Sequence, residues 1–297
     1  MEVGDAFGGA ALPIDGGLAT ELESRGHDLG DTLWSARILA DDPGEIRAVH
    51  EAYLDAGARV VVTASYQVSR DGFVAAGRTA AQADDALRTS VAVARDAVAG
   101  RDALVAASVG PYGAILHDGS EYTGRYGVSR DRLVDFHGER LAVLAEAGPD
   151  LFAIETIPDL DEVEALAEVL GDFAALPAWL TLSCSDGEHT AAGQAVDEVV
   201  ALVARTPSVR AVGVNCTAPE HVESLLGRMA AAGAPALVAY PNSGRAWSPV
   251  SGWSGESRAV GADLVSRWRE IPGVSLIGGC CGVGPEAIAG IARSLSA

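Results

Sequence analysis

The sequence predicts a single (β/α)8 TIM barrel of the α/β class, and three observations carry that expectation. Short apolar runs alternate with helical stretches from end to end, and there are eight of them, the strand number of this barrel. The runs are continuously apolar, as parallel strands covered on both faces require, and do not alternate as an open antiparallel sheet would. The conspicuous polar residues lie just after the runs, on the side where such a barrel builds its active site.

In order, the strand runs are AALPI around residue 12, RVVVTA, ALVAASV, LFAIE, PAWLTLS, RAVGVN, ALVAY and VSLIGG. Between them lie amphipathic segments with start signals, such as Ser129 ahead of RDRLVDFHGERLAVLAEAG. Asp159 likewise precedes LDEVEALAEVLGDF, which sets Val163, Leu166 and Leu170 on one face. Gly57, Gly148 and Gly233 follow their helices as C-terminal glycines. Residues 241–257, PNSGRAWSPVSGWSGES, read as one long polar loop, and loops of that length in a compact domain are usually functional. A barrel of about 250 residues forms one unit. With no linker, charge run or low-complexity tract in sight, residues 1–297 are assigned to one domain.

A formal net charge of −20 argues against a nucleic-acid partner, which needs a basic footprint. The N-terminal stretch lacks a basic region ahead of an apolar one, and no run of 18 uncharged apolar residues occurs, so the reading is cytoplasmic with no membrane association. In a reducing compartment the cysteines at 184, 216, 280 and 281 are metal ligands, reactive thiols or buried residues before they are disulfides. The six histidines are read as surface residues, away from strand ends. All 21 basic residues are arginine, so Schiff-base chemistry on a lysine is excluded.

The polar strand ends are Asp15-Gly16-Gly17, Thr63 to Gln67, Glu155-Thr156, Ser183 to Asp186, Asn215-Cys216, Tyr240 to Asn242 and Cys280-Cys281. Cys216, Cys280 and Cys281 can form a three-cysteine Zn2+ site with an open fourth position, the arrangement of a catalytic metal. Two neighbouring cysteines bond to each other only with strain, yet on one turn both reach a single soft ion. Three thiolates leave zinc a weak Lewis acid toward water but suited to a soft sulfur ligand, which points to a substrate thiol as the nucleophile. Cys184 pairs with nothing obvious and is read as a buried apolar residue. Asp15 and Glu155 can together accept hydrogen bonds from a substrate ammonium, and Gly16 and Gly17 allow close backbone approach to a ligand. As a bland alternative, Asp15 is an N-cap or Asx-turn residue.

These motifs together resemble the homocysteine S-methyltransferase family, from about Asp15 to Gly282. The resemblance is carried by DGGLATELESRGHDL at 15–29, LWSA at 33–36, TASYQ at 63–67, ETIPDLDE at 155–162, SDG at 185–187, GVNCTAP at 213–219, YPNSG at 240–244 and GGCCG at 278–282. The last three in order are the specific ones. It implies zinc on Cys216, Cys280 and Cys281 and a zinc-dependent methyl transfer to homocysteine, giving methionine. It further implies that the amino group meets Asp15 and Glu155, and the carboxylate the backbone around Gly17, Ala64 and Ser65. By the same resemblance Asn242 approaches the zinc when substrate is absent, with a turn role as the alternative.

The TASYQ and YPNSG forms resemble the S-methylmethionine or S-adenosylmethionine users, whose cationic sulfonium donor suits aromatic faces such as Trp34, Tyr66, Trp247 and Trp253. Selenocysteine is an alternative acceptor at the same site. Rival readings are a barrel lyase or hydrolase with Glu155 and Asp15 as acid and base, and a non-catalytic zinc- or thiol-binding barrel. The partners expected are small molecules alone; the number of chains that assemble is left open.

Overall fold

A computed structural model describes residues 1–30, 33, 35–244, 246–248, 252–254 and 260–297. Its strands are β1 (Leu12–Pro13), β2 (Val60–Val62), β3 (Leu104–Val109), β4 (Leu151–Ile157), β5 (Ala178–Leu182), β6 (Val209–Asn215), β7 (Leu237–Tyr240), β8 (Ala246–Ser248), β9 (Gly252–Ser254) and β10 (Val274–Ile277). Eight of these form one sheet in the order β1-β10-β7-β6-β5-β4-β3-β2, and every pairing in it is parallel. The two ends of that order meet: Ile14 bridges Val60, Asp15 N–H donates to Val60 O at 3.0 Å and Arg59 N–H to Pro13 O at 2.8 Å. The sheet is thereby a barrel, and its eight strands are the eight apolar runs of the sequence.

Continuous apolarity has the expected cause, since β3 and β4 are buried along their whole length. Alternate side chains go to opposite sides of the barrel wall. Leu104, Ala106, Leu151, Ala153 and Trp179 fill the interior, which Ala6 closes from below with Met1, Val3 and Phe7 against it. Val105, Ala107, Phe152 and Ile154 point outward to the helices, where Val163, Leu166 and Leu170 are fully buried. Each Val, Leu, Ile or Phe among them contributes ~1.5–3 kcal/mol of burial. The helix boundaries follow their chemistry too. Ser129 accepts from Arg132 N–H, Asp159 from Asp161 N–H, and Gly57, Gly148 and Gly233 adopt φ of 103°, 74° and 88°.

Two expectations need correction. The 241–257 segment is not all loop, because β8 and β9 pair antiparallel with Trp247 opposite Trp253. Nor are all the histidines on the surface: His50 and His137 are fully buried. Each lies on the inner face of its helix, His50 beside Ile46, Val49 and Tyr53, and His137 with its Nε2 2.9 Å from Glu162 Oε1.

Candidate active site

Cys216 follows β6, and Cys280 and Cys281 follow β10, so loops 65 residues apart in sequence, counted from Cys216 to Cys281, converge at the C-terminal mouth of the barrel. Pro241 to Ser243, after β7, lies between them and ties them by backbone. Cys280 N–H donates to Pro241 O and Ser243 N–H to Cys281 O, both at 2.8 Å. Asn242 Nδ2 donates to Cys216 O at 3.1 Å while its Oδ1 accepts from Gly244 N–H at 2.8 Å, so in this structure Asn242 holds a turn and a cysteine carbonyl. Cys216 is held at φ 45°, which turns its side chain toward the pair.

The three Sγ atoms lie within 4.8 Å of one another, with Cys216 to Cys281 at 3.7 Å and Cys280 to Cys281 at 4.0 Å. Tetrahedral zinc with bonds of ~2.3 Å would hold its sulfurs roughly 3.8 Å apart, so the donor set fits a soft divalent ion. Among the three thiols alone, negative charge falls first on Cys216, whose sulfur is hydrogen-bonded by Cys280 and Cys281; both of those are pushed up, Cys216 being the largest cause for each. A bound dication resolves that conflict by favouring thiolate at all three.

Across the same cavity stand Asp15 and Glu155, 3% and 7% exposed. Asp15 Oδ2 accepts from Val62 N–H at 2.9 Å, which pins it to the end of β2. Glu155 accepts from Ser108 Oγ and, at 3.1 Å, from Tyr240 OH, which itself receives Trp179 Nε1–H at 3.0 Å. Burial pushes the Asp15 carboxyl well up, with Glu155 adding repulsion, and pushes Glu155 to about 7. Among the described residues that line the cavity there is no arginine or histidine to answer them. Two buried carboxyls so placed form a receptor for a cationic group such as an ammonium.

Gly16 and Gly17 line the cavity, but the first constraint on them is packing. A Cβ would meet Val283 O at 2.2 Å on Gly16 and Cys280 O at 2.6 Å on Gly17. The Gly17 N–H is engaged with Val283 O at 3.0 Å, so these glycines dock the end of β1 against the cysteine turn. Ala64 and Tyr66 also line the cavity. Ser65 lies beneath, its hydroxyl donating to Ser108 O at 2.8 Å. Tyr66 hydrogen-bonds Thr156, whose φ of 64° is held by Asn215 through bonds of 2.6 and 2.7 Å.

Several site residues escaped the sequence reading. Arg140, on the helix Arg130–Glu146, is 2% exposed and donates to Gly110 O and Tyr66 O, each at 2.7 Å, bracing the loop after β2 from behind. Burial lowers its guanidinium to about 10. Tyr122 OH lies 3.4 Å from Cys216 Sγ, and its neighbour Glu121 lines the cavity. Neither stands at a strand end, and no periodic pattern marks them. Cys184 stays outside the triad: its N–H donates to Thr217 Oγ1 at 3.0 Å and burial pushes its thiol up to about 12. Trp34 lies outside the described residues, as do the side chains of Trp247 and Trp253.

Fold and site together define a (β/α)8 barrel with a three-cysteine cluster able to hold a soft metal ion, facing a buried carboxylate pair. The sequence model of the family described as Homocysteine S-methyltransferase matches residues 12–295. Homocysteine S-methyltransferase 4 of Zea mays is 44% identical over 97% of this chain and 90% of its own length. Selenocysteine Se-methyltransferase of Brassica oleracea var. italica is 41% identical over 97% and 89%. The crystal structure of the homocysteine methyltransferase MmuM from Escherichia coli, metallated form, superposes with a TM-score of 0.87 at 41% identity, covering 96% of each chain. The chain belongs to the homocysteine S-methyltransferase family.

Proposed function

We propose that this chain, as one domain over residues 1–297, transfers a methyl group from a sulfonium donor to the sulfur of homocysteine, giving methionine. The observation that carries the reading is the cavity itself, where three sulfurs within 4.8 Å of one another face Asp15 and Glu155. In this reading Cys216, Cys280 and Cys281 would hold zinc, which would favour the thiolate form of an incoming thiol. Asp15 and Glu155 take the substrate ammonium, and the backbone at Ala64 and Ser65, beside the Gly16-Gly17 turn, takes its carboxylate. Tyr66 on the cavity wall offers an aromatic face to the donor cation.

The substrate thiolate attacks the donor methyl in line, forming a new C–S bond as the old one breaks. The sulfonium leaves as a neutral thioether. No proton moves at the reacting carbon, which agrees with a cavity whose described lining includes no histidine. S-Methylmethionine or S-adenosylmethionine is the donor in this account. Selenocysteine is the second acceptor to test, since a relative at 41% identity carries that name and a selenolate also suits a soft metal. Free cysteines suit a reducing, cytoplasmic setting, and among the described residues no helix is long and apolar enough to cross a membrane. The net charge of −20 suits a small-molecule enzyme without a nucleic-acid partner.

The test is methionine formation by zinc-loaded protein given homocysteine and either donor, with a chelator control. Chelator-sensitive product is expected. Cys281→Ala should lose the metal and the activity while its far-ultraviolet circular dichroism stays that of the parent. Activity retained by a metal-free variant would overturn the zinc role.

A further inference from the structure

A third buried carboxylate faces the cavity, and nothing in the acceptor's recognition uses it. Glu121 stands in the short turn Ser120–Tyr122, on the connection that follows β3, and is 3% exposed. Its Oε2 is buried with no hydrogen-bond partner among the described residues. The side-chain charges that act on it, Cys216 and Asp118, are both of its own sign. A buried anion without a counter-ion is costly, and burial pushes its carboxyl to about 7.

The backbone around it is firmly placed. Ser183 Oγ donates to Glu121 O at 3.2 Å, and a Cβ on Gly113 would meet Glu121 N at 2.5 Å, so the turn is wedged against the 3-10 helix Tyr112–Ile115. The next residue, Tyr122, reaches 3.4 Å from Cys216 Sγ, and Glu121, Tyr122 and Cys216 all line the one cavity. Asp15 and Glu155 already answer one ammonium. A second, cationic substrate would supply the charge that Glu121 lacks.

We infer that Glu121 is the counter-charge for the sulfonium of the methyl donor. The inference rests on the sulfonium-donor reading above. For in-line attack the donor sulfur must lie close to the acceptor sulfur, within the cavity that Glu121 lines. As the methyl leaves, the electron pair of the breaking C–S bond stays on the donor sulfur, which becomes neutral. Glu121 therefore favours the charged donor over the thioether left behind, and its attraction is greater in the ground state than in the transition state. It is a binding residue that sets donor selectivity and helps the leaving thioether go.

The experiment compares wild type with Glu121→Gln and Glu121→Met, an uncharged polar and an uncharged apolar side chain of similar length. Steady-state kinetics use S-methylmethionine as donor, and methionine as an inhibitor competitive with it. Both variants should raise the donor KM at least about tenfold, as loss of a buried charge pair implies. The homocysteine KM should stay within about twofold, and kcat should hold or rise, since this interaction is lost more from the ground state than from the transition state. Inhibition by methionine, which carries the ammonium but no sulfonium, should be unchanged. Equal weakening of donor and methionine would overturn the inference by assigning Glu121 to the donor's ammonium. An unchanged donor KM, or a loss confined to kcat or to homocysteine, would overturn it as well. Wild type that transfers no methyl from any sulfonium would instead sink the functional reading, and the inference with it.

Discussion

At Glu155, a carboxyl ends up with a pKa of about 7 because burial outweighs the hydrogen bonds from Ser108 and Tyr240. Its ionised form is the one that attracts an ammonium, so homocysteine KM should rise as pH falls below about 7 and level off above it; a KM flat from pH 6 to 8 would remove Glu155 from that role. The same shift has a stability consequence. A carboxyl raised from 4.5 to about 7 contributes stability that is present below its unfolded pKa and lost as pH rises through the folded one. At pH 8 the native state therefore carries a penalty on the order of 3 kcal/mol, reduced by whatever hydrogen bonds a replacement loses. Glu155→Gln should unfold at the same or a higher temperature than wild type at pH 8 while losing homocysteine affinity, and calorimetry beside kinetics reads both. Glu155 was legible in the sequence because an acid closing an apolar run has little structural reason to be there, whereas Asp15 read equally well as a capping residue. Glu121 was not, since its loop has no periodicity against which an acid stands out.

Between elements, the site depends on groups that brace loops from behind. Arg140 reaches from its helix to carbonyls on two strand-end loops, at Gly110 and Tyr66. Arg140→Met would leave both carbonyls buried without a donor, at ~1–3 kcal/mol each. The urea midpoint should fall accordingly, and Lys should restore only part, because one ammonium lacks the fork that spans two acceptors. A wild-type midpoint in Arg140→Met would show that water replaces the guanidinium. Helix ends were readable from Ser129, Asp159 and the C-terminal glycines because capping is local chemistry. Arg140 was not: an arginine in a helix reads as a solvated face until the neighbouring loops are known to cover it. His137 was hidden for the same reason, its partner Glu162 lying on the next helix.

For the whole molecule, closure of the sheet is what brings β1, β4, β6 and β10 to one mouth. Gly213 on β6 pairs with Val238 on β7, and a Cβ at Gly213 would sit 1.8 Å from Val238 O. That atom is backbone in a fixed ladder and cannot turn aside. Gly213→Ala should destabilise the barrel by more than about 3 kcal/mol and, on the zinc reading, weaken metal binding at Cys216 three residues on. Denaturant titration with zinc quantification checks both, and a wild-type midpoint with full metal content would show that the strands slide apart without loss. The eight-strand count was readable without coordinates because parallel strands buried on both sides must be apolar throughout. The β8–β9 hairpin was not, its short segments being polar and rich in glycine and serine.

By itself the sequence determined what local forces determine: strand and helix identity through apolar spacing, helix ends through capping, and a candidate metal-ligand pair in two adjacent cysteines after the last apolar run. Tertiary structure alone decided which polar groups meet. Cys216 and Cys281 are 65 residues apart, Glu155 and Tyr240 85, and Asp15 and Val62 47. The physical reason is range. Burial pattern and capping act over one turn or one strand, whereas a hydrogen bond or a shared metal ion demands positions accurate to a fraction of an ångström, which only the closed barrel imposes.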